Sequence, residues 1–209
     1  LRGEVEVALS KPRSEADYRD VLSSGLEECL RLSRLIDNLL FLARAENPKM
    51  EIRRERLGVA GELETLRDFY EAGAAEAGVT LALDAPAEIT ADLDRTLFQR
   101  AVGNLIDNAL AYTDRGGTVQ LCARQQDGAL EIAVSDTGCG IPAGELPKLF
   151  QRFHRVDGSR TKHSGGQGLG LAIVQSIVTL HEGSVEISSE VGVGTRVTLQ
   201  LPLPSRRDG

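Results

Sequence analysis

Between Ser14 and Ala45 the apolar positions recur in steps of three, four or seven. Leu22, Leu26, Cys29, Ile36, Leu40 and Ala43 form one stripe, and Leu32, Leu35, Leu39 and Leu42 flank it. No proline interrupts this stretch and Gly25 is its only glycine. Ser14, three residues before Asp17, has the spacing of a capping box. The pattern predicts one helix of about 31 residues, roughly 45 Å at 1.5 Å per residue. Lys11-Pro12-Arg13 separates it from residues 1–10, which read as the end of another helix. The apolar face is wide for a surface helix and suits a bundle. One helix and a stub cannot bury it alone. Pairing with a second copy into a four-helix bundle is one remedy, and packing against the rest of the same chain is the other.

Asn47-Pro48 ends the long helix. MEIRRER (50–56) alternates like a strand, 59–77 reads as an amphipathic helix stopped by Gly78, and VTLAL (79–83) and EITAD (88–92) read as strands. Asp92 is placed to cap a helix running to about Tyr112. A turn at Arg115-Gly116-Gly117 leads to a hairpin, 118–125 and 129–136, around Asp127-Gly128. A glycine-rich loop, a short helix near 145–152 and a polar segment, 153–164, follow. A helix over 169–181 and a hairpin of 184–190 and 195–201 around Gly192 and Gly194 close the pattern. The expected fold class is α+β: a two-layer α/β sandwich with a mixed sheet and helices on one face, behind a helical hairpin. There is no internal repeat.

Composition narrows the function. The chain of 209 residues, 41% hydrophobic, has material for one core plus a smaller element, or for two small domains. The net charge of −7, without a long basic run, argues against nucleic acid or anionic lipid as a direct partner. Cys29, Cys122 and Cys139 stand at unrelated spacings and give neither a disulfide framework nor a metal-ligand pattern. No run approaches the roughly 20 apolar residues of a membrane span, and no signal peptide is evident. The first residues already look like mid-helix, so the chain reads as part of something longer.

Four stretches carry unusual chemistry. In NLIDNALAYT (104–113), Asn104 and Asn108 share one helix face. Two amides on a mostly apolar helix either bond to backbone or offer oxygen to a hard cation such as Mg²⁺. In DTGCGIP (136–142), Asp136 ends a strand ahead of Gly138 and Gly140. Its carboxylate either caps the turn or accepts a hydrogen bond from an exocyclic amine. In LFQRFHR (149–155), Arg152 and Arg155 can reach phosphate oxygens. GGQGLGLA (165–172) lacks the Lys of a P-loop and does not follow a buried strand, so neither common phosphate fingerprint applies. It does open an apolar helix, LGLAIVQSIVTL (169–180), whose free N–H groups can hold phosphate.

Taken in this order, the four stretches resemble the N box, first glycine box, F box and second glycine box of bacterial sensor histidine kinases. That ATPase fold is shared with DNA gyrase B subunits, mismatch-repair ATPases and some chaperones. IDNLLFLARAE (36–46) resembles the end of the family's second dimerisation helix, and VGVGTRVTLQLPL its last hairpin. The resemblance implies ATP and Mg²⁺ as cofactors. It makes Asn108 the Mg²⁺ ligand and places Asn104 beside the phosphates. Asp136 would recognise the adenine amine, Gly138, Gly140 and Ile141 would shape the base pocket, and Tyr112 would lie against the base. Gly166, Gly168, Leu169 and Gly170 would wrap the phosphates. Residues 153–164 would form a lid, with Arg152, Arg160 or Lys162 reaching the γ-phosphate. The domains would be a dimerisation hairpin, 1–46, a linker and first strand, 47–56, the ATP-binding domain, 57–204, and a tail, 205–209.

Two departures stand out. Ala111 occupies a position where the family often has Lys or Arg, and Arg115 or Lys162 is available to replace that charge. The family's phosphoacceptor histidine lies upstream of text resembling the first ten residues, and His154, His163 and His181 do not match it. The implied activity is transfer of the ATP γ-phosphate to a histidine, absent from these residues, and on to an aspartate of a response regulator. The implied partners are a second copy, through the helical hairpin, and the receiver domain. The implied location is cytoplasmic, with any inner-membrane segment upstream. Two other readings share the fold: a non-catalytic ATP-binding module, and a Ser/Thr kinase of the anti-sigma type, which usually lacks the long leading helix.

Overall fold

The computed structural model describes residues 14–126, 128–156 and 167–203. The chain divides into two compact units, Leu1–Arg44 and Ala45–Gly209. In the first, helix α1 spans Glu15–Ala45, 31 residues. Its start is a reciprocal cap: the Asp17 N–H donates to Ser14 Oγ (3.2 Å), and the Ser14 N–H and hydroxyl both donate to Asp17 Oδ2. Leu22, Leu26, Ile36 and Leu40 are 51–72% exposed, so the first unit does not cover its own apolar stripe. The helix expected over residues 1–10 lies outside the described residues.

The second unit holds strands β1 (Glu55–Gly58), β2 (Thr80–Asp84), β3 (Thr90–Leu93), β4 (Thr118–Gln126), β5 (Ala129–Asp136), β6 (Ser184–Glu190) and β7 (Gly194–Pro202). Its helices are α2 (Val59–Ala77), α3 (Arg95–Tyr112) and α4 (Gly170–Leu180). The main sheet runs β2-β4-β5-β7-β6, with β2 parallel to β4 and every other pair antiparallel. Alternation decides which face is buried. Val119, Leu121 and Ala123 of β4, Leu130, Ile132 and Val134 of β5, and Leu199 and Leu201 of β7 are all sealed from solvent. The three helices supply the second layer with Leu63, Phe98, Val102, Leu105, Ile106, Ile173, Val174 and Ile177. Among the described residues no helix is long and apolar enough to cross a membrane.

Three local expectations need correction. The alternating run 50–56 becomes strand only from Glu55, because β1 pairs with β3 alone, from Glu55↔Leu93 to Gly58↔Thr90. The residues before it are held by side chains instead: the Arg53 N–H donates to Asp94 Oδ2 (2.9 Å), and Arg54 pairs with Glu182 (2.7 Å). The cap of α3 is Asp94, whose Oδ1 accepts from the Leu97 N–H at 3.0 Å, whereas Asp92 sits in β3 opposite Arg56. Two aspartates two residues apart look alike in sequence, and strand pairing selects between them. The short helix near 145–152 is a single 3₁₀ turn, Leu146–Lys148: the bonds here are of the i→i−3 kind, from the Lys148 N–H to the Glu145 carbonyl (2.9 Å) and from the Leu149 N–H to the Leu146 carbonyl (3.3 Å).

His181 ties these elements together. It is buried at the end of α4, its Nδ1 lies 2.8 Å from the Ile177 carbonyl, and its Nε2 lies 3.0 Å from the Asp94 N–H. The Asp94 N–H must find an acceptor at Nε2, so Nδ1 carries the proton and donates to Ile177. That neutral tautomer leaves no position for a second proton. Burial pushes the His181 pKa below its ordinary value of 6.5, and the nearby Arg54 adds to this; the Ile177 bond and Asp94 oppose it without reversing it. A group with a depressed folded pKa binds its proton more readily when unfolded. The stability it contributes is therefore complete above its ordinary value and shrinks as pH falls below it. The melting temperature should drop between about pH 7.5 and about pH 5.5, and His181→Gln should flatten that slope. Equal slopes in parent and variant would remove His181 as the cause.

Candidate functional site

Three chain segments meet along one face of α3. Asn104, Asn108 and Tyr112 succeed each other at intervals of four, so they form a stripe about 12 Å long. The start of α4 lies across the first two. A methyl group placed on Gly170 would stand 3.2 Å from Asn104 Oδ1 and 3.6 Å from Asn108 Nδ2. Only a residue without a side chain leaves open space between the two amides and the helix start. That start has no side-chain cap, so its first N–H groups remain available to an acceptor.

The two amides differ in their bonding. Asn104 Nδ2 donates to the Arg100 carbonyl at 2.7 Å, which fixes its oxygen toward Gly170. Half-buried Asn108 makes no hydrogen bond among the described residues and keeps both its donor and acceptor capacity. A half-buried amide without a protein partner is costly unless water or a ligand completes it.

At the other end of the stripe the loop after β5 closes against α3. The Cys139 N–H donates to the Tyr112 carbonyl (3.3 Å), and a methyl group on Gly138 would stand 2.3 Å from that same oxygen. Asp136 Oδ1 accepts from the Gly138 N–H (2.9 Å) and from the Thr195 N–H (3.2 Å). Its second oxygen has no partner among the described residues. Burial pushes the Asp136 carboxyl above the usual carboxylate range, and the two N–H donors only partly offset this. A half-buried carboxylate with one fixed and one unengaged oxygen is suited to accept a hydrogen bond from a ligand amine.

The loop is held from outside by the turn between β6 and β7. A methyl on Gly140 (φ +68°) would meet the Glu190 carbonyl at 2.0 Å, and the Gly192 N–H donates to the Cys139 carbonyl (2.9 Å). The Ile141 N–H donates to Ser189 Oγ at 2.8 Å. Sequence reasoning passed over Ser189 and Thr195. The nearest signal in the sequence is the glycine pair Gly192 and Gly194, of which Gly194 lies against the Asp136 backbone.

The F-box segment returns to the second glycine stretch. The Phe153 N–H donates to the Gly168 carbonyl (2.8 Å), and Gly168 takes φ +67° with the Phe153 and His154 backbone 2.8 Å from any added methyl. The ends of the intervening segment are thus joined beside α4. Gly166, Lys162, Arg160 and His163 lie outside the described residues. Leu169 is buried and forms the N-cap position of α4. Arg152 pairs with Glu46 and does not reach the amides. His154 lies 2.8 Å from Glu145, which also pairs with Lys148. Arg115 does not replace the charge missing at Ala111. Its side chain packs over Gly78, and its guanidinium donates to the Glu76 carbonyl (3.4 Å), at the far end of α2. Among the described residues no cluster of His, Cys, Asp or Glu forms a metal site.

Comparison with known proteins gives the family. Residues 93–205 match the family described as histidine kinase-, DNA gyrase B-, and HSP90-like ATPase. The chain is 43% identical over 202 residues to the sensor protein IrlS of Burkholderia pseudomallei, covering 97% of this chain and 43% of that protein. It is 39% identical over 199 residues to the sensor histidine kinase CusS of Escherichia coli K12, covering 95% and 41%. It therefore spans less than half of these relatives. Among solved structures, the Acinetobacter baumannii histidine kinase AdeS superposes with a TM-score of 0.78 at 21% identity, covering 98% of this chain and 93% of that one. Full-length ShkA in complex with AMPPNP gives the same TM-score at 25% identity, covering 92% and 40%.

Proposed function

The chain belongs to the histidine kinase-, DNA gyrase B-, and HSP90-like ATPases, and on that premise we propose that it is the Mg-ATP-binding catalytic part of a two-component sensor histidine kinase. Asn108 would hold Mg²⁺ through its amide oxygen. Asn104, the start of α4 and Gly168–Gly170 receive the triphosphate. Asp136 accepts the exocyclic amine of adenine. The observation that carries the reading is the approach of Gly170 to Asn104 and Asn108, which sets two amides against uncapped helix N–H groups. The sensor-kinase names of the relatives favour histidine as acceptor over serine or threonine.

The magnesium ion would screen charge between the β- and γ-phosphates. The protein's own residues hold the nucleotide and orient the γ-phosphorus toward an incoming imidazole. Arg152 needs to leave Glu46 to take part. His181 has both nitrogens committed and His154 is engaged by Glu145, so neither is offered as the acceptor. The exposed stripe of α1 supports pairing with a second copy, and the phosphorylated histidine would pass its group to a response-regulator aspartate. Membrane attachment, where present, belongs to segments outside these residues.

Incubation of the 209-residue chain with γ-labelled ATP and Mg²⁺ tests this. Titration calorimetry should show one ATP bound per chain. No acid-labile label should remain on His154, His163 or His181. Absence of ATP binding would defeat the proposal, and label on any of the three histidines would defeat its account of the acceptor.

A further inference from the structure

We infer that Ser189, on the strand that leads into the last hairpin turn, is a positioning residue for the adenine end of the site. This rests on the reading of the pocket given above. The carboxylate of Asp136 selects a base only if the following loop stands at a fixed height beside it. On the α3 side that loop is held by the Cys139 N–H on the Tyr112 carbonyl and by the Gly138 N–H on Asp136. On its other side the restraint comes from the chain some fifty residues later.

The hydroxyl of Ser189 sits at the centre of a small network. It lies 2.9 Å from the Gly194 carbonyl, 2.9 Å from Thr195 Oγ1 and 2.8 Å from the Ile141 amide nitrogen. A carbonyl can only accept and an N–H can only donate. Ser189 therefore gives its single proton to Gly194 and accepts from the Ile141 N–H. The Thr195 hydroxyl must then donate to Ser189, which fills both acceptor sites of the oxygen. The directions of all three bonds follow, with no rotational freedom left at Ser189.

The consequence reaches Asp136 by a second path. The bond to the Gly194 carbonyl closes the turn whose next residue, Thr195, gives its N–H to Asp136 Oδ1. A methyl on Gly194 would stand 1.9 Å from the Asp136 carbonyl, so the two backbones are already in contact. One hydroxyl thus holds Ile141 on one side of the pocket and the carboxylate on the other. Neither contact involves the phosphate end, where Asn104, Asn108 and Gly170 lie.

Replacing Ser189 by alanine leaves the Ile141 N–H and the Thr195 hydroxyl without their acceptor, a loss sufficient for about a tenfold change in an equilibrium. Calorimetric titration of the full chain with Mg-ATP should show Ser189→Ala about tenfold weaker than the parent. Ser189→Thr, which keeps the hydroxyl, should stay within about twofold, and Ser189→Cys, a weaker acceptor, should fall between them. The order Thr, Cys, Ala keeps the test intact if the alanine variant does not fold. Equal affinity in parent and Ser189→Ala, or Ser189→Thr binding no better than Ser189→Cys, would overturn the assignment. A parent chain that binds no ATP at all would instead overturn the nucleotide reading beneath it.

Discussion

Asn108→Asp should lower Mg-ATP affinity at least about a hundredfold while the fold survives. The variant keeps an oxygen that can ligate magnesium, so a ligand count alone predicts a mild effect. The surroundings decide otherwise. Asn108 faces the start of α4 across Gly170, and an uncapped helix start attracts any negative charge. A carboxylate at residue 108 would occupy that position permanently and repel the triphosphate. Because an anion at a helix start is itself stabilising, the melting temperature should hold or rise. Weaker ATP binding together with a lower melting temperature would point to general damage, and unchanged affinity would remove Asn108 from the site.

The second large effect is expected at Asp136. Asp136→Ala removes the acceptor proposed for the adenine amine and should cost about a hundredfold in ATP affinity, since hydrogen bonds to charged groups are the strong ones. GTP carries a carbonyl where ATP carries the amine, so its weak binding should improve or stay constant. The preference for ATP should narrow from both directions. Asp136→Asn separates binding from stability. Burial has raised the carboxyl's pKa above its unfolded value. The stability such a group contributes is present below the unfolded value and is lost as pH rises through the folded one. At neutral pH the ionised carboxylate therefore costs stability. Asp136→Asn keeps an oxygen for the Gly138 and Thr195 N–H groups, so it should melt higher than the parent at neutral pH while binding ATP more weakly. A functional group held at a cost in stability would show both signs together. A variant that melts lower and binds ATP normally would contradict the role.

The order of helices and strands was legible because each signal was local. Gly78 stops α2 in a left-handed cap, the apolar period of 97–109 defines α3, and alternation marks β4, β5 and β7. What escaped depended on partners distant in sequence. β1 is four residues long because β3 offers only four partners. The choice of Asp94 over Asp92 follows from that pairing, and His181 joins it only because α4 ends where α3 begins. At the site, Asn104, Asn108, Asp136 and the glycines stood out by type and spacing. The pairing of Arg152 with Glu46 spans 106 positions, and the diversion of Arg115 to α2 needs the turn that brings it over Gly78. Ser189 shares the half-buried face of Val185 and Ile187, and it escaped because its partner Ile141 lies 48 positions away.

One nucleotide bound at the proposed site would touch the face of α3, the start of α4 and the loop after β5 together. An amide-resolved magnetic resonance titration of the chain with Mg²⁺ and a non-hydrolysable ATP analogue addresses it directly. Perturbed amides should concentrate at 104–112, 136–141 and 168–171 and saturate with one common affinity. Perturbations confined to one of these segments, or saturating at separate affinities, would contradict a common nucleotide site.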